Sequence, residues 1–171
     1  MASKLKTDIL ETVSGSGTIA LTNQLSGMTG ASMPSGSVVQ VVNATVVANQ
    51  TSTSTSFVQY SALTASITPT STSNKILVMF VGEIVHRVTG AANSHFRGQI
   101  YRGSSAVSSV VNERIYDYGG SGIHHEMQLV MHHLDTPATT STTTYSLYFA
   151  NTAGANSDVR NGTITLTEIK G

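Results

Sequence analysis

The chain has 171 residues, a formal net charge of zero, only 11% charged residues, and neither cysteine nor tryptophan. That length suits one domain able to bury about two-thirds of its unfolded surface. The missing cysteines exclude disulfide staples, thiolate metal sites and cysteine nucleophiles, and the scattered basic residues leave no electrostatic footprint for nucleic acid or an anionic membrane.

The N-terminal stretch MASKLKTDILETVSGSG lacks the unbroken apolar run of a signal peptide, and no later segment approaches the roughly 20 apolar residues of a membrane span. Synthesis in the cytoplasm without membrane insertion is therefore expected, and Asn43-Ala44-Thr45 and Asn161-Gly162-Thr163 carry no weight as glycosylation sites. Residues 1–36, with glycines in SGSGT and SGMTGAS before Pro34, are too sparse in apolar side chains to fold alone. They form an expected N-terminal anchoring arm, whose contacts would be Leu5, Ile9, Leu10, Ile19 and Leu21, because a tail without a docking role needs no such residues.

From Ser37 onward the pattern is strand-like: SVVQVVNATVV, FVQY and ALTASI, KILVMFVGEIVHRV, SHFRGQIYR, VSSVV, IHHEMQLVMHHL, TTYSLYFA and TITLTEI. Clusters of serine and threonine separate these runs as polar turns, while sustained helical spacing and capping signals are absent. The expected fold is all-β, an antiparallel β-sandwich of jelly-roll type over residues 37–171, preceded by the extended arm.

The run from Lys75 to Val88 is apolar on both of its faces at the start: Ile76, Val78, Phe80, Gly82, Ile84, His86 and Val88 alternate with Leu77, Met79, Val81, Glu83, Val85 and Arg87. A sandwich strand normally has one wet face, so Leu77, Met79 and Val81 are expected at an interface with another subunit or under the arm. In NERIYDYGGSG, Arg114, Tyr116, Asp117 and Tyr118 are the candidate ligand loop for a host-surface glycan, because sugar sites combine aromatic platforms with polar groups. A turn flanked by strand tyrosines is the plainer alternative.

The stretch HHEMQLVMHH, residues 124–133, holds four of the six histidines and resembles the start of a zinc-protease helix. The pattern fails, because Leu129 stands where the second histidine ligand of His-Glu-x-x-His would be. As a strand it places His125, Met127, Leu129, Met131 and His133 on one face and His124, Glu126, Gln128, Val130 and His132 on the other. Its end histidines would then lie roughly 26 Å apart, beyond any shared coordination sphere. No metal, cofactor or catalytic site is expected: Gly-x-Ser-x-Gly and phosphate-loop patterns are missing, and the acidic residues are dispersed.

The leader SKLKTDILETVSGSGTIALTN, the junction ASMPSGSVVQVV, the segment TSFVQYSALTASITPTSTSNKILVMF and the ending GTITLTEIKG resemble a module of tailed-bacteriophage virion proteins, especially marine ones. The resemblance covers roughly the first half and the last strand. It implies a trimeric decoration, head-fibre or tail-fibre subunit, located in the virion and attached to other capsid or tail proteins by its arm. Residues from about 82 to 161 match no motif of that module, and a binding role particular to this chain would lie there.

Overall fold

The computed structural model describes residues 33–88, 93–116, 123–152 and 155–171, the side chains at 93, 114–116 and 123 excepted. The arm residues Leu5, Ile9, Leu10, Ile19 and Leu21 lie outside the described residues, as do Asp117 and Tyr118 of the expected ligand loop. Among the described residues there are nine strands and no helix: β1 (Val38–Ser52), β2 (Val58–Ile67), β3 (Lys75–Val88), β4 (Asn93–Arg102), β5 (Ser105–Ala106), β6 (Val111–Tyr116), β7 (Ile123–Asp135), β8 (Thr143–Asn151) and β9 (Ala155–Ile169).

Every pairing is antiparallel, and the pairings nest: β1 with β9, β2 with β8, β3 with β7, and β4 with β6. The chain is thus one long two-stranded ribbon doubled back around β5. Two further pairings, β3 with β9 and β4 with β8, close the rolled ribbon into sheets of order β1-β9-β3-β7 and β2-β8-β4 with β5 and β6 beyond. Nested pairing closed in this way is the jelly roll, so the expected sandwich class holds.

Alternation builds the core. From one sheet Ile76, Val78, Phe80, Ile84, Leu129, Met131, Ile164 and Leu166 point inward; from the other come Tyr60, Leu63, Ile67, Phe96, Ile100, Tyr145, Leu147 and Phe149, none more than 2% exposed. The Phe96 and Phe149 rings stack at 6.0 Å in the middle of it.

The structure differs from the sequence expectations at three places. FVQY and ALTASI contribute to the single strand β2, whose register slips between Gln59 and Thr64, so that Tyr60 and Leu63 are both buried. NERIY is not loop: Arg114 and Tyr116 lie in β6, opposite His95 and Asn93 of β4. The final strand starts at Ala155, well before TITLTEI, because a bulge at Asn161 resets its phase. Ser157 and Val159 face inward before the bulge and Gly162, Ile164 and Leu166 after it, with Asn161 itself at φ 41°.

At the bulge, Gly82 of β3 faces Gly162 of β9. A Cβ on Gly82 would lie 2.6 Å from Phe80 Cζ, and one on Gly162 would lie 2.8 Å from Leu63 Cδ2. The Phe80 ring occupies the space that the two missing side chains leave. Gly82→Ala and Gly162→Ala should therefore each destabilise the domain by about 1–3 kcal/mol through overpacking, read as a lower urea midpoint at unchanged slope.

Candidate functional site

The outward side chains of the β1-β9-β3-β7 sheet form ordered rows. Val41, Thr167, Leu77 and Leu134 lie across one row; Asn43, Thr165, Met79 and His132 across the next; Thr45, Thr163, Val81 and Val130 across the third. None of these twelve is Asp, Glu, Lys or Arg. Val130 is 58% exposed, Val41 58%, Leu134 47%, Met79 40% and Val81 37%, while Leu77 is half-buried. Four strands at about 4.8 Å spacing over three rows give a patch on the order of 300 Å², a size that is often functional on a single subunit. The polar members are mostly satisfied within the face: Asn43 Nδ2 donates to Thr165 Oγ1 at 2.9 Å, and the Thr45 and Thr163 hydroxyls meet at 3.1 Å.

The face changes character at the bulge. A depression of about 290 Å³, lined by Thr45, Val47, Val81, Glu83, Gln128 and Asn161 among others, separates the uncharged rows from an ion-pair cluster. In that cluster Asp158 receives Arg87 Nη2 at 2.7 Å, Thr51 Oγ1 at 2.7 Å and Arg160 Nη2 at 3.2 Å. Arg160 also approaches Glu83 at 3.6 Å and Glu126 at 3.7 Å. Burial pushes the Asp158 carboxyl up, but hydrogen bonds from Arg87 and Thr51 outweigh it and hold the group below the usual carboxylate range.

Between the sheets, behind this end, lies His86, fully buried. Its Nδ1 is 2.5 Å from Ser157 Oγ and its Nε2 3.0 Å from Ser94 Oγ. Ser157 donates to Asn151 Oδ1, so Nδ1 must carry the proton and Nε2 must accept from Ser94. Ser94 in turn accepts from Thr152, whose hydroxyl receives the His95 backbone N–H. Every member of this chain of groups thus has one consistent donor direction around a neutral imidazole. Burial, with His95 and His125 nearby, lowers the His86 pKa to about 4. Ser94 and Ser157 are themselves 0% exposed, so the serine–histidine contact ties β3 and β9 to β4 and β8 and offers no surface to a substrate.

A second buried ionisable group sits at the opposite end of β9. Glu168, 0% exposed, accepts from Asn74 Nδ2 (2.6 Å), Gln40 Nε2 (2.5 Å), Thr70 N (2.7 Å) and Thr70 Oγ1 (2.9 Å). Burial raises this carboxyl, and the bonds from Asn74, Gln40 and Thr70 more than offset that, leaving it below its ordinary value. The TPTSTSN stretch thereby does more than turn the chain: it clamps β9.

Of the sequence-derived site residues, Leu77, Met79 and Val81 share the uncharged face, and β7 adds Val130 and Leu134 to it, as the alternation of HHEMQLVMHH allows. Arg114 and Tyr116 are on β6, away from that face in the other sheet. His124, His125 and His132 are exposed along β7, and among the described residues no three His, Asp or Glu side chains are grouped to hold a metal ion.

No protein-family model matches the sequence, and no curated protein is similar to it. Similar solved structures include infectious bursal disease virus Gx strain (15% identity, 80% of this chain and 33% of that chain, TM-score 0.41). The VP2 subviral particle of infectious bursal disease virus is another (17% identity, 77% and 33%, TM-score 0.36), as is dimeric latent PorU from Porphyromonas gingivalis (7% identity, 80% and 14%, TM-score 0.40). The chain spans about a third of the length of the two viral chains.

The buried groups predict acid sensitivity. Between pH 6.5 and about 4 the unfolded chain takes up a proton that folded His86 refuses, so stability is complete above pH 6.5 and is lost as pH falls through this window, by up to about 3 kcal/mol. Asp158 and Glu168, whose carboxyls are depressed, contribute stability that is present above the ordinary carboxylate pKa and lost as pH falls below it. Urea unfolding at pH 7 and pH 4.5 should show the drop, and His86→Gln should flatten it while lowering stability at pH 7.

Proposed function

We propose that the protein is a non-enzymatic virion structural subunit of a tailed bacteriophage, a decoration or fibre protein that assembles as a homotrimer and attaches to other capsid or tail proteins through residues 1–36. The observation that carries this reading is the three uncharged rows on the outer face of the β1-β9-β3-β7 sheet, with Val41, Met79, Val81, Val130 and Leu134 exposed in register. Rows without Asp, Glu, Lys or Arg offer no electrostatic pattern with which to choose a charged partner, and they suit a second copy of the same surface. The number three and the phage setting come from the resemblance of the leader, junction and ending motifs. The jelly roll supports a structural role, being an architecture that buries its own core and leaves two broad outer faces for contact.

Light scattering should give a trimer mass at micromolar concentration; a stable monomer would sink the assembly reading. Val130→Glu and Met79→Glu, at exposed positions, should change subunit stability by no more than about 0.5 kcal/mol yet dissociate the assembly. Deleting residues 1–36 should leave a folded trimer that no longer enters particles, whereas loss of folding would place the arm in the core.

A further inference from the structure

The outer face of the other sheet has a different chemistry. Among the described side chains, the aromatic rings outside the core are Phe57, Tyr101 and Tyr148, and they touch one another. Tyr101 of β4 and Tyr148 of β8 stack with ring centroids 3.8 Å apart and planes 18° apart, and Phe57 leans on Tyr101 at 6.4 Å. Arg97 lies over Phe57 at 5.4 Å and is pinned there, its Nη2 donating to the Thr55 and Asn151 carbonyls at 2.5 and 3.1 Å. Gln99, the register partner of Tyr148, stands between Arg97 and Tyr101 on the same side of β4 and is fixed by a 2.8 Å bond to the Ser108 carbonyl.

This group is preorganised. Ser146 and Ala150 have the outward phase of Tyr148 on β8, yet are 2% and 0% exposed; their register partners are Tyr101 and Arg97, whose long side chains can lie across them. The tyrosines are only partly exposed and lose little conformational freedom on meeting a ligand. Neither tyrosine hydroxyl has a hydrogen-bond partner among the described residues. A rigid ring stack with unpaired hydroxyls, flanked by a carboxamide and a held guanidinium, matches a pyranose, which has an apolar C–H face and a rim of hydroxyls. Apart from Arg97, already engaged by two carbonyls, the group contains no charged side chain to select an anion.

We infer that the Tyr101–Tyr148 stack, with Gln99 and Arg97 beside it, is a binding site for a hexopyranose unit of a neutral polysaccharide. The sugar face packs on the rings, and its hydroxyls bond to the tyrosine hydroxyls and the Gln99 carboxamide. This site is independent of the assembly face, which lies on the other sheet.

The test is affinity electrophoresis of the full-length protein in native gels containing one of a panel of neutral polysaccharides (a β-glucan, an α-glucan, a galactomannan) or an acidic one (alginate). Calorimetry then follows with an oligosaccharide of whichever polymer retards it. At least one neutral polymer should retard the protein, with Tyr148→Ala and Tyr101→Ala weakening the oligosaccharide at least tenfold. Gln99→Ala, which leaves the rings in place, should weaken it severalfold and keeps the test decisive if the ring deletions unfold. Val130→Glu, on the opposite sheet, should leave the calorimetric affinity unchanged even when it dissociates the assembly. Retardation by none of the neutral polymers, retardation by alginate alone, or affinity unchanged in every folded variant of this group would overturn the proposal.

Discussion

The structure depends on the apolar contact between the two sheets, enforced by the period of two in β3. That strand is central in its sheet, hydrogen-bonded to β9 on one side and β7 on the other, so neither edge can shift to relieve a misplaced side chain. Burying Ile76, Val78, Phe80 and Ile84 fixes its register, since a one-residue slip would exchange them for Leu77, Met79, Val81 and Val85 or, in the other direction, for Lys75, Leu77, Met79 and Glu83. The uncharged outer rows are the necessary complement of that choice. Once the even positions are core, the apolar odd positions must face outward, and within the rows they form with β7 and β1 they remain substantially exposed.

The core is apolar in its middle and polar where it ends. At one end His86 links β3 and β9 to β4 and β8 through Ser157, Asn151 and Ser94. At the other, Tyr145 of β8 donates to Asp135 at 2.6 Å, while Arg102 of β4 reaches the same Oδ2 at 2.8 Å, again joining the two sheets. Burial pushes the Tyr145 hydroxyl up, and its bond to Asp135 adds to the shift, so it stays a donor. Purely apolar contact between sheets leaves their relative slide weakly determined, whereas directional bonds at both ends fix it. The cost is that His86 must stay neutral, which couples sheet registration to pH.

What was legible in the sequence followed from alternation, and what was not came from breaks in it. The β3 and β7 faces could be assigned residue by residue, because residues 76–88 and Ile123–Asp135 pair without a slip. β9 could not, because Asn161 absorbs one residue and reverses the phase, hiding ANSDVRNG from a strict period-two reading. NERIY was hidden for another reason: charged and amide residues at its start resemble turn chemistry, and only pairing with β4 makes it a strand. The His86–Ser157 and Asn74–Glu168 contacts join residues 71 and 94 positions apart in sequence, and no local spacing announces them. The Phe57, Tyr101 and Tyr148 group left one faint signal, since Tyr101 and Tyr148 occupy the outward phase of strands whose inward phase already holds Phe96, Ile100, Leu147 and Phe149.

The two outer faces of a sandwich point in opposite directions, which gives the chemical difference between them a spatial consequence. The aliphatic, uncharged rows lie on β1, β9, β3 and β7; the aromatic group belongs to β4 and β8, with Phe57 just before β2. Aliphatic side chains in flat rows suit a partner that excludes water over a broad area, while stacked tyrosines with open hydroxyls suit a small, partly hydrated ligand. A subunit that associates through the first face necessarily turns the second away from the contact. Assembly would thus array several aromatic groups outward, and sites too weak singly to hold a polymer gain from being held together, because each binding event raises the local concentration of sugar at the next. The same alternation that packs the core also sorts the surface, leaving aliphatic rows on one sheet and the aromatic group on the other.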